Sequence, residues 1–592
     1  MFFFVKNLNC RHNSLRVSLV FLGLASLSQA QPGNRDHLAA LHPGYTLINV
    51  MPNGIQPGVS GMDFMVDGRL VISTWGGDHT KLTPPSKNGQ VYILGNVLQD
   101  DTSKYTSKLY ATGLQEPLGL KIVNDTIYVS ERQSLAMLVD ANKNGTLEPI
   151  EYKQLAAYTA GGLRHEFFFG LLYKDGFFYG AHSLALVDGG SAAVPQPDAN
   201  RGTYVKINRT TGVTEYIAGG ARQPFGFGMN PEGDMFSTEV QGTWNPACAF
   251  THVRAGRFYG HPQLKQVPAN PFDSMPYNPP AVLMPESEIA NAPGQPLYVP
   301  TGIFKGQFFV GDVTYGGINR IYLEKVNGEY QGGVTRFSAG LQCGPSRLAF
   351  GSNGDLFVGE IGDESGNWNE PNKKLYGLQK LKPNGKTTFE MLNAHSRPKG
   401  MELEFTEEVA LDADQAAKYE VLSWTYTRTA DYGGSPVNKK PLAITSVKVD
   451  PTRKKVYLEI AGLQTGYLVY IRLVGLKSAA GTSPWSTETW YTLNALGSGL
   501  PFESTLSMVT PNKGWATSAF KASRFSGGIA FKISLFQPYI LRILDAKGAQ
   551  KAIYHGIGPG EHSFATQGLN PGIFMASLES QGKMATLPLA VY

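Results

Sequence analysis

One unit of polar and apolar positions returns six times in the first two-thirds of the chain. It consists of a turn, usually with glycine, then a short apolar strand, then a polar end. The copies are VDGRLVIST (66–74), NDTIYVSER (124–132), KDGFFYGAH (174–182), PEGDMFSTE (231–239), KGQFFVGDV (305–313) and NGDLFVGEI (353–361). Several copies are followed by a further apolar segment, such as GQVYILG (89–95). Each copy predicts a small antiparallel sheet that cannot bury both of its faces alone.

Six such sheets bury their faces when they pack radially, as in a β-propeller. We therefore predict an all-β fold that begins with a six-bladed β-propeller over residues 31–383. Strand ends converge on a central channel in that arrangement, and the polar ends of the copies are expected to crowd there. These residues are Glu131, His182, Glu239, Asp312 and Glu360. The alternative for any one of them is a solvated turn.

The pattern changes after about residue 384. Residues 400–409, 441–450, 454–463 and 488–496 alternate apolar and polar positions, which predicts an Ig-like β-sandwich over 384–497. A Gly, Ser and Pro-bearing linker follows over 498–514, and a small C-terminal β-module over 515–592. The order of its strands and turns resembles the C-terminal sorting modules of bacterial type IX secretion. That resemblance implies a secretion-system or cell-surface partner.

The N-terminus has the three parts of a secretory signal peptide. Lys6, Arg11 and Arg16 precede the apolar run VSLVFLGLASL, and SQA before Gln31 is a small-x-small cleavage signal. We assign residues 1–30 to this signal peptide and expect a secreted, periplasmic or cell-surface protein. No later stretch approaches 18 apolar residues, so we expect no transmembrane segment.

Composition narrows the possible partners. Removing residues 1–30 removes three Lys and Arg residues and no Asp or Glu, so the net charge falls from +5 to +2. This charge does not favour nucleic acid. The glycine-rich stretches GGLRH and GGAR precede strands and not helices, which is unlike a nucleotide site.

Two cysteines remain in the mature chain, Cys248 and Cys343. An exported pair can form a disulfide, but a separation of 95 positions says little about geometry. We expect two buried free thiols, with a Cys248–Cys343 bridge as the alternative.

The segment DANKNGTLEPIE (140–151) follows the twelve-residue calcium-loop pattern. Its predicted ligands are Asp140, Asn142, Asn144, Thr146 through its carbonyl, and Glu151. Gly145 falls at the sharp turn, and the following YKQLAAYTA can start a helix. We expect a structural Ca²⁺ site between strands. The alternative is a surface turn rich in Asn and Gly.

Four segments together resemble the glucose/sorbosone dehydrogenase-like propellers, which include the soluble quinoprotein sugar dehydrogenases. They are GLQEPLGLKIVNDTIYVSER (113–132), RHEFFFGLLYKDGFFYGAH (164–182), GARQPFGFGMNPEGDMFSTEVQG with THVRAGRFYGHP (220–262), and PSRLAFGSNGDLFVGE (345–360). The resemblance covers residues 60–383. It is closer still to exported bacterial members that carry FVGD and RIYLEKVNGEYQGG.

The resemblance implies a role for each matching residue. His165 matches the histidine that removes a sugar hydroxyl proton while hydride passes to pyrroloquinoline quinone (PQQ). Arg222 and Arg347 match arginines that hold the carboxylates of the cofactor. Gln223 occupies a position where members of the family have Asn, and Arg164 a position where they have an acidic residue. We expect both residues to contact the cofactor. The alternatives are a structural His165 and arginines that tie blades together through backbone carbonyls.

The sequence is compatible with three functions. The first is an exported oxidoreductase that oxidises a sugar or sugar-derived alcohol with PQQ. The second is a non-redox carbohydrate-active lyase or hydrolase that uses His165 as base and Arg164 or Arg222 to neutralise a uronate. The third is a propeller that binds a glycan without turnover. The substrate in each case is a small molecule or an oligosaccharide.

Overall fold

The computed structural model describes residues 38, 40–76, 86–163, 165–187, 189–362, 374–502, 520–525, 528–545, 549–566, 572–580 and 583–591. Regular structure in these residues consists of β-strands and short 3₁₀ helices, with no α-helix, so the prediction of an all-β fold is confirmed. The 3₁₀ helices are Thr102–Lys104, Pro149–Glu151, Pro271–Ser274, Leu411–Asp414 and Ala416–Lys418. The predicted signal peptide, 1–30, lies outside the described residues, as does most of the predicted linker.

Six antiparallel four-stranded units occupy residues 45–383. β1 (Tyr45–Asn49) comes first in the chain and belongs to the sixth unit. The first sheet contains β2 (Val59–Phe64), β3 (Leu70–Thr74), β4 (Gly89–Gly95) and β5 (Thr106–Leu114). The second contains β6 (Gly119–Val123), β7 (Thr126–Glu131), β8 (Ser134–Leu138) and β9 (Tyr152–Ala157). The third contains β10 (Phe168–Lys174), β11 (Phe177–His182), β12 (Thr203–Asn208) and β13 (Thr214–Gly219).

The remaining three units follow the same strand order. The fourth sheet contains β14 (Gly226–Met229), β15 (Met235–Glu239), β16 (Cys248–Val253) and β17 (Val282–Met284). The fifth begins with β18 (Pro293–Tyr298), β19 (Phe308–Asp312), β20 (Gly317–Val326) and β21 (Glu329–Ser338). The sixth contains β22 (Gly344–Phe350), β23 (Leu356–Ile361) and β24 (Tyr376–Pro383), and β1 completes it.

The first strands of the six units form a closed ring. β2 contacts β6, β6 contacts β10, and the series continues through β14, β18 and β22 until β22 contacts β2 again. β1 closes the sixth sheet by pairing antiparallel with β24, from Tyr45 opposite Pro383 to Asn49 opposite Gln379. The ring therefore joins the beginning of the described chain to residues more than 300 positions later.

The six repeated segments of the sequence form the second strands of these sheets and the turns that precede them. Gly176 has a φ of 85° in the turn between β10 and β11, a left-handed conformation that glycine adopts without a steric penalty. The second repeat lacks glycine at this turn, and Asn124 and Asp125 both take positive φ there, 51° and 58°. Asn and Asp tolerate this conformation better than other residues with a side chain.

The hydrophobic core of the ring lies between neighbouring sheets. Val71 of the first sheet is buried with Leu120 and Val129 of the second. Tyr128, from the other face of the second sheet, packs with Phe168 and Phe178 of the third. Each sheet thus buries both faces against its neighbours, which a single four-stranded sheet cannot do.

A second unit spans β25 to β32. Its strands are β25 (Met391–Arg397), β26 (Gly400–Phe405), β27 (Tyr419–Thr425), β28 (Val437–Pro441), β29 (Ile444–Val449), β30 (Lys455–Ile460), β31 (Tyr467–Leu473) and β32 (Glu488–Leu493). One sheet has the order β25-β26-β30-β29. The other continues the fifth sheet of the ring, in the order β18-β19-β20-β21-β32-β31-β27-β28. β21 pairs with β32 from Gly332 opposite Thr492 to Val334 opposite Trp490.

The last unit has two further antiparallel sheets. Its strands are β33 (Phe520–Phe525), β34 (Gly528–Ile533), β35 (Pro538–Asp545), β36 (Gln550–Ile557), β37 (Gly560–Ala565), β38 (Gly572–Ser580) and β39 (Lys583–Val591). They pair in the orders β33-β34-β37 and β36-β35-β38-β39, around a core that includes Phe531, Leu541 and Leu578. None of the described segments forms an apolar helix of membrane-spanning length.

Cys248 and Cys343 are both buried and free, so the expectation of two separate thiols is confirmed. Burial raises the pKa of each thiol, which keeps both protonated near neutral pH.

Candidate functional site

The carboxylates at the ends of second strands bond to backbone amides of their own sheet. Glu239 accepts hydrogen bonds from the amides of Arg222 (3.0 Å) and Gln223. Asp312 accepts one from the amide of Asn291 at 2.7 Å. Desolvation by burial raises the pKa of Glu239 to about 7 and that of Asp312 to about 6. Each carboxylate therefore holds the segment that leads into the first strand of its sheet.

Glu131 and Glu360 make the equivalent contact in the second and sixth sheets, with the amides of Gln115 and Cys343. We call Glu131, Glu239, Asp312 and Glu360 the strand-end carboxylates. The fifth predicted polar end, His182, is buried and packs against aromatic rings instead. All five lie in the described chain, and none lines the cavity at the ring centre. The prediction that they crowd a common channel is wrong.

The physical reason is the alternation of side chains along a strand. Successive side chains point to opposite faces, so a residue that bonds its own sheet leaves the next one to face the centre. Val240 follows Glu239, Val313 follows Asp312 and Ile361 follows Glu360, and these three apolar residues line the cavity. The centre of the ring is therefore more apolar than the polar strand ends indicate.

The central cavity has a volume of about 220 Å³ and receives side chains from all six sheets and from the second unit. Its lining residues are Trp75, Leu118, His165, Phe167, Phe169, Leu186, Gly190, Arg222, Gln223, Phe225, Val240, Asn291, Ala292, Val313, Ile361 and Tyr432. Five of these are Trp, Phe or Tyr. Three of the four polar members, His165, Arg222 and Gln223, were predicted from sequence to belong to a site, and the structure brings them together here.

His165 lies in the segment that leads into β10 and has a φ of 58°. Its backbone carbonyl accepts hydrogen bonds from the hydroxyl of Ser183 and from the amide side chain of Gln223, the latter at 3.5 Å. Its ring centre lies 5.3 Å from that of Phe167. These contacts hold the backbone of His165 in a conformation that few non-glycine residues adopt. Arg164, the preceding candidate, lies outside the described residues.

Arg222 is buried beside His165 and bonds backbone carbonyls. Its guanidinium donates to the carbonyls of Gln241 (2.7 Å) and Gly190. A Cβ at Gly242 would lie 2.0 Å from Cζ of Arg222, so only glycine permits this approach. Burial lowers the pKa of Arg222. Within the described chain its Nε is buried and has no hydrogen-bond partner.

Gln223 has a similar mixture of satisfied and unsatisfied atoms. Its Nε2 donates to the carbonyl of Leu184 at 2.8 Å. Its Oε1 is buried and finds no partner in the part of the chain that the structure describes. An unsatisfied buried polar atom costs about 1–3 kcal/mol, so a ligand that bonds Arg222 and Gln223 would recover this free energy.

Arg347 does not line the cavity. Its guanidinium donates to the carbonyls of Ser346 (2.8 Å) and Leu118 (2.6 Å) and lies 5.1 Å from the ring centre of Phe225. Burial alone lowers its pKa to about 9. Arg347 therefore supports two wall residues, Leu118 and Phe225, from behind. These contacts match the alternative role, in which the arginine ties neighbouring sheets together through backbone carbonyls.

Tyr432 is a wall residue that sequence reasoning missed. It belongs to the segment between β27 and β28 of the second unit, and its ring centre lies 5.1 Å from Cζ of Arg222. Two backbone hydrogen bonds hold this segment on the ring. The amide of Gly433 donates to the carbonyl of Gly242 (3.0 Å), and the amide of Trp244 donates to the carbonyl of Thr429 (2.7 Å). No local pattern around Tyr432 points to the ring, because the contact depends on the packing of two units.

The cavity fits only part of the cofactor that the resemblance implies. PQQ is a planar ring system with three carboxylates, and the aromatic walls and the free Nε of Arg222 suit a planar anion. The lining contains no carboxylate. Across the described ranges, no three or more His, Cys, Asp or Glu side chains are grouped as metal ligands, although calcium is also bound by amide and carbonyl oxygens. The residues present thus fit a quinone ring and supply no carboxylate for a cation beside it.

The predicted calcium loop lies between β8 and β9, away from the central cavity. Asp140 accepts hydrogen bonds from the amides of Asn144 (3.0 Å) and Gly145 (2.7 Å). Glu151 accepts from the amide of Ala141 at 2.7 Å. Hydrogen bonds from backbone amides, first from that of Glu148, lower the pKa of Glu151.

The remaining predicted ligands lie in the same turn. Asn142 accepts a bond from the amide of Asn144 (2.9 Å), and the Asn144 side chain accepts from the amide of Thr146 (2.8 Å). The five residues are therefore brought together on one loop. The loop lies between strands, as expected, and the following YKQLAA forms β9 and does not start a helix; β9 pairs with β8 from Tyr152 opposite Leu138 onward.

No protein-family model matches the chain, and no curated protein does. The chain is similar to solved structures of soluble sugar dehydrogenases. One is the apo form of the soluble aldose sugar dehydrogenase of Escherichia coli, at 15% identity over 57% of this chain and 100% of that one, TM-score 0.40.

Two cofactor-bound structures are similar at the same level. The PQQ-bound aldose sugar dehydrogenase of Streptomyces coelicolor is 12% identical over 58% of this chain and 99% of that one, TM-score 0.41. The holo PQQ domain of the pyranose dehydrogenase of Coprinopsis cinerea is 11% identical over 59% and 98%, TM-score 0.41. At these values, a function for this chain must rest on its own side chains.

Proposed function

We propose that the ring is a six-bladed β-propeller over residues 31–383 and that 384–497 is an Ig-like β-sandwich. The cyclic contacts of β2, β6, β10, β14, β18 and β22 support six blades. The two facing sheets around the buried Leu403, Val421 and Leu458 support the sandwich. Residues 515–592 are then a separate C-terminal β-module that meets a secretion-system or cell-surface partner.

The function that the site supports best is oxidation of a sugar or sugar-derived alcohol in the central cavity, with a quinone as acceptor. The observation that carries this proposal is that His165, Arg222 and Gln223 line one aromatic cavity where all six sheets meet. When bound, the quinone would supply the hydride acceptor that the protein itself lacks.

Each residue has a distinct part in this proposal. His165 accepts the proton of a substrate hydroxyl, which suits a neutral imidazole near pH 7. Arg222 holds a carboxylate of the planar acceptor through its free Nε, and Gln223 accepts a hydrogen bond through its free Oε1. Trp75, Phe167 and the other rings exclude water and pack on flat surfaces.

The cavity lining bears on the two alternatives. Hydrolysis of a glycoside generally uses a pair of carboxyl groups, and the lining residues include neither Asp nor Glu. A hydrolase is therefore not favoured by the described lining. Glycan binding without turnover is the second candidate, because aromatic walls with few ionisable groups also suit a bound sugar ring.

Quinone titration and a dye-reduction assay test the proposal. We expect the purified protein to bind PQQ with a spectral shift and to reduce a dye acceptor with a sugar or sugar alcohol. His165→Ala should keep quinone binding and lose turnover by about 10²–10⁴-fold. Arg222→Ala should lose quinone binding. His555→Ala is the matched control, because His555 is exposed on β36 of the last unit.

Three results would contradict the proposal. They are absence of quinone binding by the parent, parent-like quinone affinity in Arg222→Ala, and parent-like turnover in His165→Ala. Sugar retention without dye reduction in any quinone-loaded sample would support the glycan-binding alternative. Export is tested separately, by the mass of the secreted protein, which should begin at Gln31.

A further inference from the structure

A second cavity lies between the fourth sheet of the ring and the second unit. We call it the interdomain cleft. Its volume is about 430 Å³, within the range of about 300–1,000 Å³ that is usual for small-molecule sites. Its walls include Trp244, Asn245, Tyr259, Tyr277, Tyr426 and Asn494. It shares no lining residue with the central cavity, so it is a separate site.

The aromatic walls of the cleft are held in place by contacts between the two units. Trp244 has a left-handed φ of 62°, and its amide donates to the carbonyl of Thr429 at 2.7 Å. Arg428 lies 3.6 Å above the ring centre of Tyr277 and donates to the carbonyl of Gly260 at 3.0 Å. The walls are thus already arranged before a ligand arrives, which lowers the entropic cost of binding.

One buried polar atom in the cleft lacks a partner. Asn245 is 8% exposed, and its Nδ2 has no hydrogen-bond partner among the residues that the structure describes. A buried donor left unpaired costs about 1–3 kcal/mol. The side chain of Asn494, by contrast, donates to the carbonyl of Pro280 at 2.9 Å. Asn245 lines the cleft, so a ligand oxygen that reached Nδ2 would satisfy this donor.

The two charged side chains of the cleft are already engaged. Both oxygens of Glu239 accept bonds from backbone amides, and Arg428 lies against Tyr277. The other lining residues are aromatic, aliphatic or proline, apart from one glycine, two asparagines and several threonines, among them Thr251 and Thr425. A ligand would meet apolar ring faces and neutral hydrogen-bonding groups. That chemistry selects against a strongly charged molecule.

We propose that the interdomain cleft binds a neutral saccharide, a pyranose unit of an oligosaccharide. The C–H face of a pyranose is apolar and packs on the negative face of an aromatic ring such as Trp244 or Tyr426. Its hydroxyls can accept from Asn245 and bond the threonines. The cleft adjoins the central cavity through Glu239, which lines the cleft and holds the backbone of Arg222 and Gln223.

Calorimetry on the full chain tests this site. The probes are neutral oligosaccharides, namely fragments of glucan, mannan, xylan and galactan, and a proline-rich decapeptide, since prolines also dock between aromatic rings. We expect at least one oligosaccharide to bind. Trp244→Ala and Asn245→Asp should each weaken that binding at least tenfold. Phe536→Ala, on an exposed ring of the last unit, is the matched control and should bind as the parent does.

His165→Ala separates this proposal from the proposed function, because it alters the central cavity alone and should leave oligosaccharide binding unchanged. Thermal melting confirms that each variant is folded, and Asn245→Asp, which is nearly isosteric, serves if Trp244→Ala does not fold. The proposal is overturned if no oligosaccharide binds, or if only the peptide binds. It is also overturned if Asn245→Asp binds like the parent, or if binding is lost in His165→Ala.

Discussion

Glu239 accepts hydrogen bonds from the backbone amides of Arg222 and Gln223, two residues that line the central cavity. A carboxylate at the end of β15 thereby positions a segment that is separated from it by a whole hairpin. The equivalent contact in the sixth sheet joins Glu360 to the amide of Cys343, which does not line the cavity. The two carboxylates form a natural pair of test and control.

Shortening each carboxylate by one methylene should separate structural from functional roles. Glu239→Asp and Glu360→Asp both withdraw an acceptor from a buried amide, and we expect each to cost about 1–3 kcal/mol in urea unfolding. Only Glu239→Asp should also weaken quinone binding, by roughly tenfold, about 1.4 kcal/mol, because Arg222 and Gln223 then move. Equal quinone affinity in the two variants would show that Glu239 does not position the cavity.

Stability should fall as the pH rises through the neutral range, in part because of Glu360. Desolvation raises its pKa from 4.5 to about 8 in the folded protein. Between these two values the folded state holds a proton that the unfolded state has released, so the free energy of unfolding decreases with pH. The stabilisation is fully present below pH 4.5 and is lost as the pH passes the folded pKa.

Glu360→Gln removes this titration and keeps an oxygen for the amide of Cys343. Between pH 5 and pH 9 the free energy of unfolding, measured in urea, should fall less in the variant than in the parent, by up to about 4 kcal/mol. Parent and variant with the same pH slope would mean that Glu360 is ionised in the folded protein at neutral pH.

Tyr432 should influence ligand binding from outside the ring. Tyr432→Ala removes the aromatic ring beside Arg222, and the lost cation–π contact is worth about 0.5–2 kcal/mol. We expect weaker quinone binding in the spectral titration and a small loss of thermal stability. Tyr432→Phe retains the ring but loses the hydroxyl that bonds Arg222, so it should weaken quinone binding less than Tyr432→Ala does. Parent-like quinone affinity in Tyr432→Ala would exclude the second unit from the site.

The loop at 140–151 should bind calcium. Calcium at about a hundred times its dissociation constant would stabilise the protein by about 2.7 kcal/mol, seen as a rise in the melting temperature. Asp140→Asn and Glu151→Gln should reduce that rise, because each removes a predicted ligand charge. Asp101→Asn, an exposed aspartate in a different turn, is the control. An undiminished rise in Glu151→Gln would place any bound calcium elsewhere.

The repeated hairpins of the ring could be predicted from sequence because their information is local. A left-handed residue such as Gly176 fixes each turn, and the alternating strand follows within a few positions. The same pattern gave a wrong prediction for the polar residues at the strand ends, which do not face the centre of the ring. Glu239 and Val240 are adjacent in sequence and face opposite directions, and sequence alone does not say which face of a strand meets the centre.

The rest of the site depended on contacts between distant parts of the chain. The resemblance placed His165 and Arg222 at the cavity but also placed Arg347 there, which instead supports Leu118. Tyr432 reaches Arg222 only because the second unit packs on the ring. The sequence also allowed a helix to start after the 140–151 loop, since β9 forms by pairing with β8 and not from its own propensity.

The pairing of β32 with β21 has a consequence for how the protein can be divided. A chain truncated after residue 383 would leave the backbone N–H and C=O groups of Gly332–Val334 exposed on an open sheet edge. Such edges recruit strands from other molecules, so the isolated ring would tend to aggregate. The second unit therefore covers the open edge of the fifth sheet, and expression of the ring requires both units together.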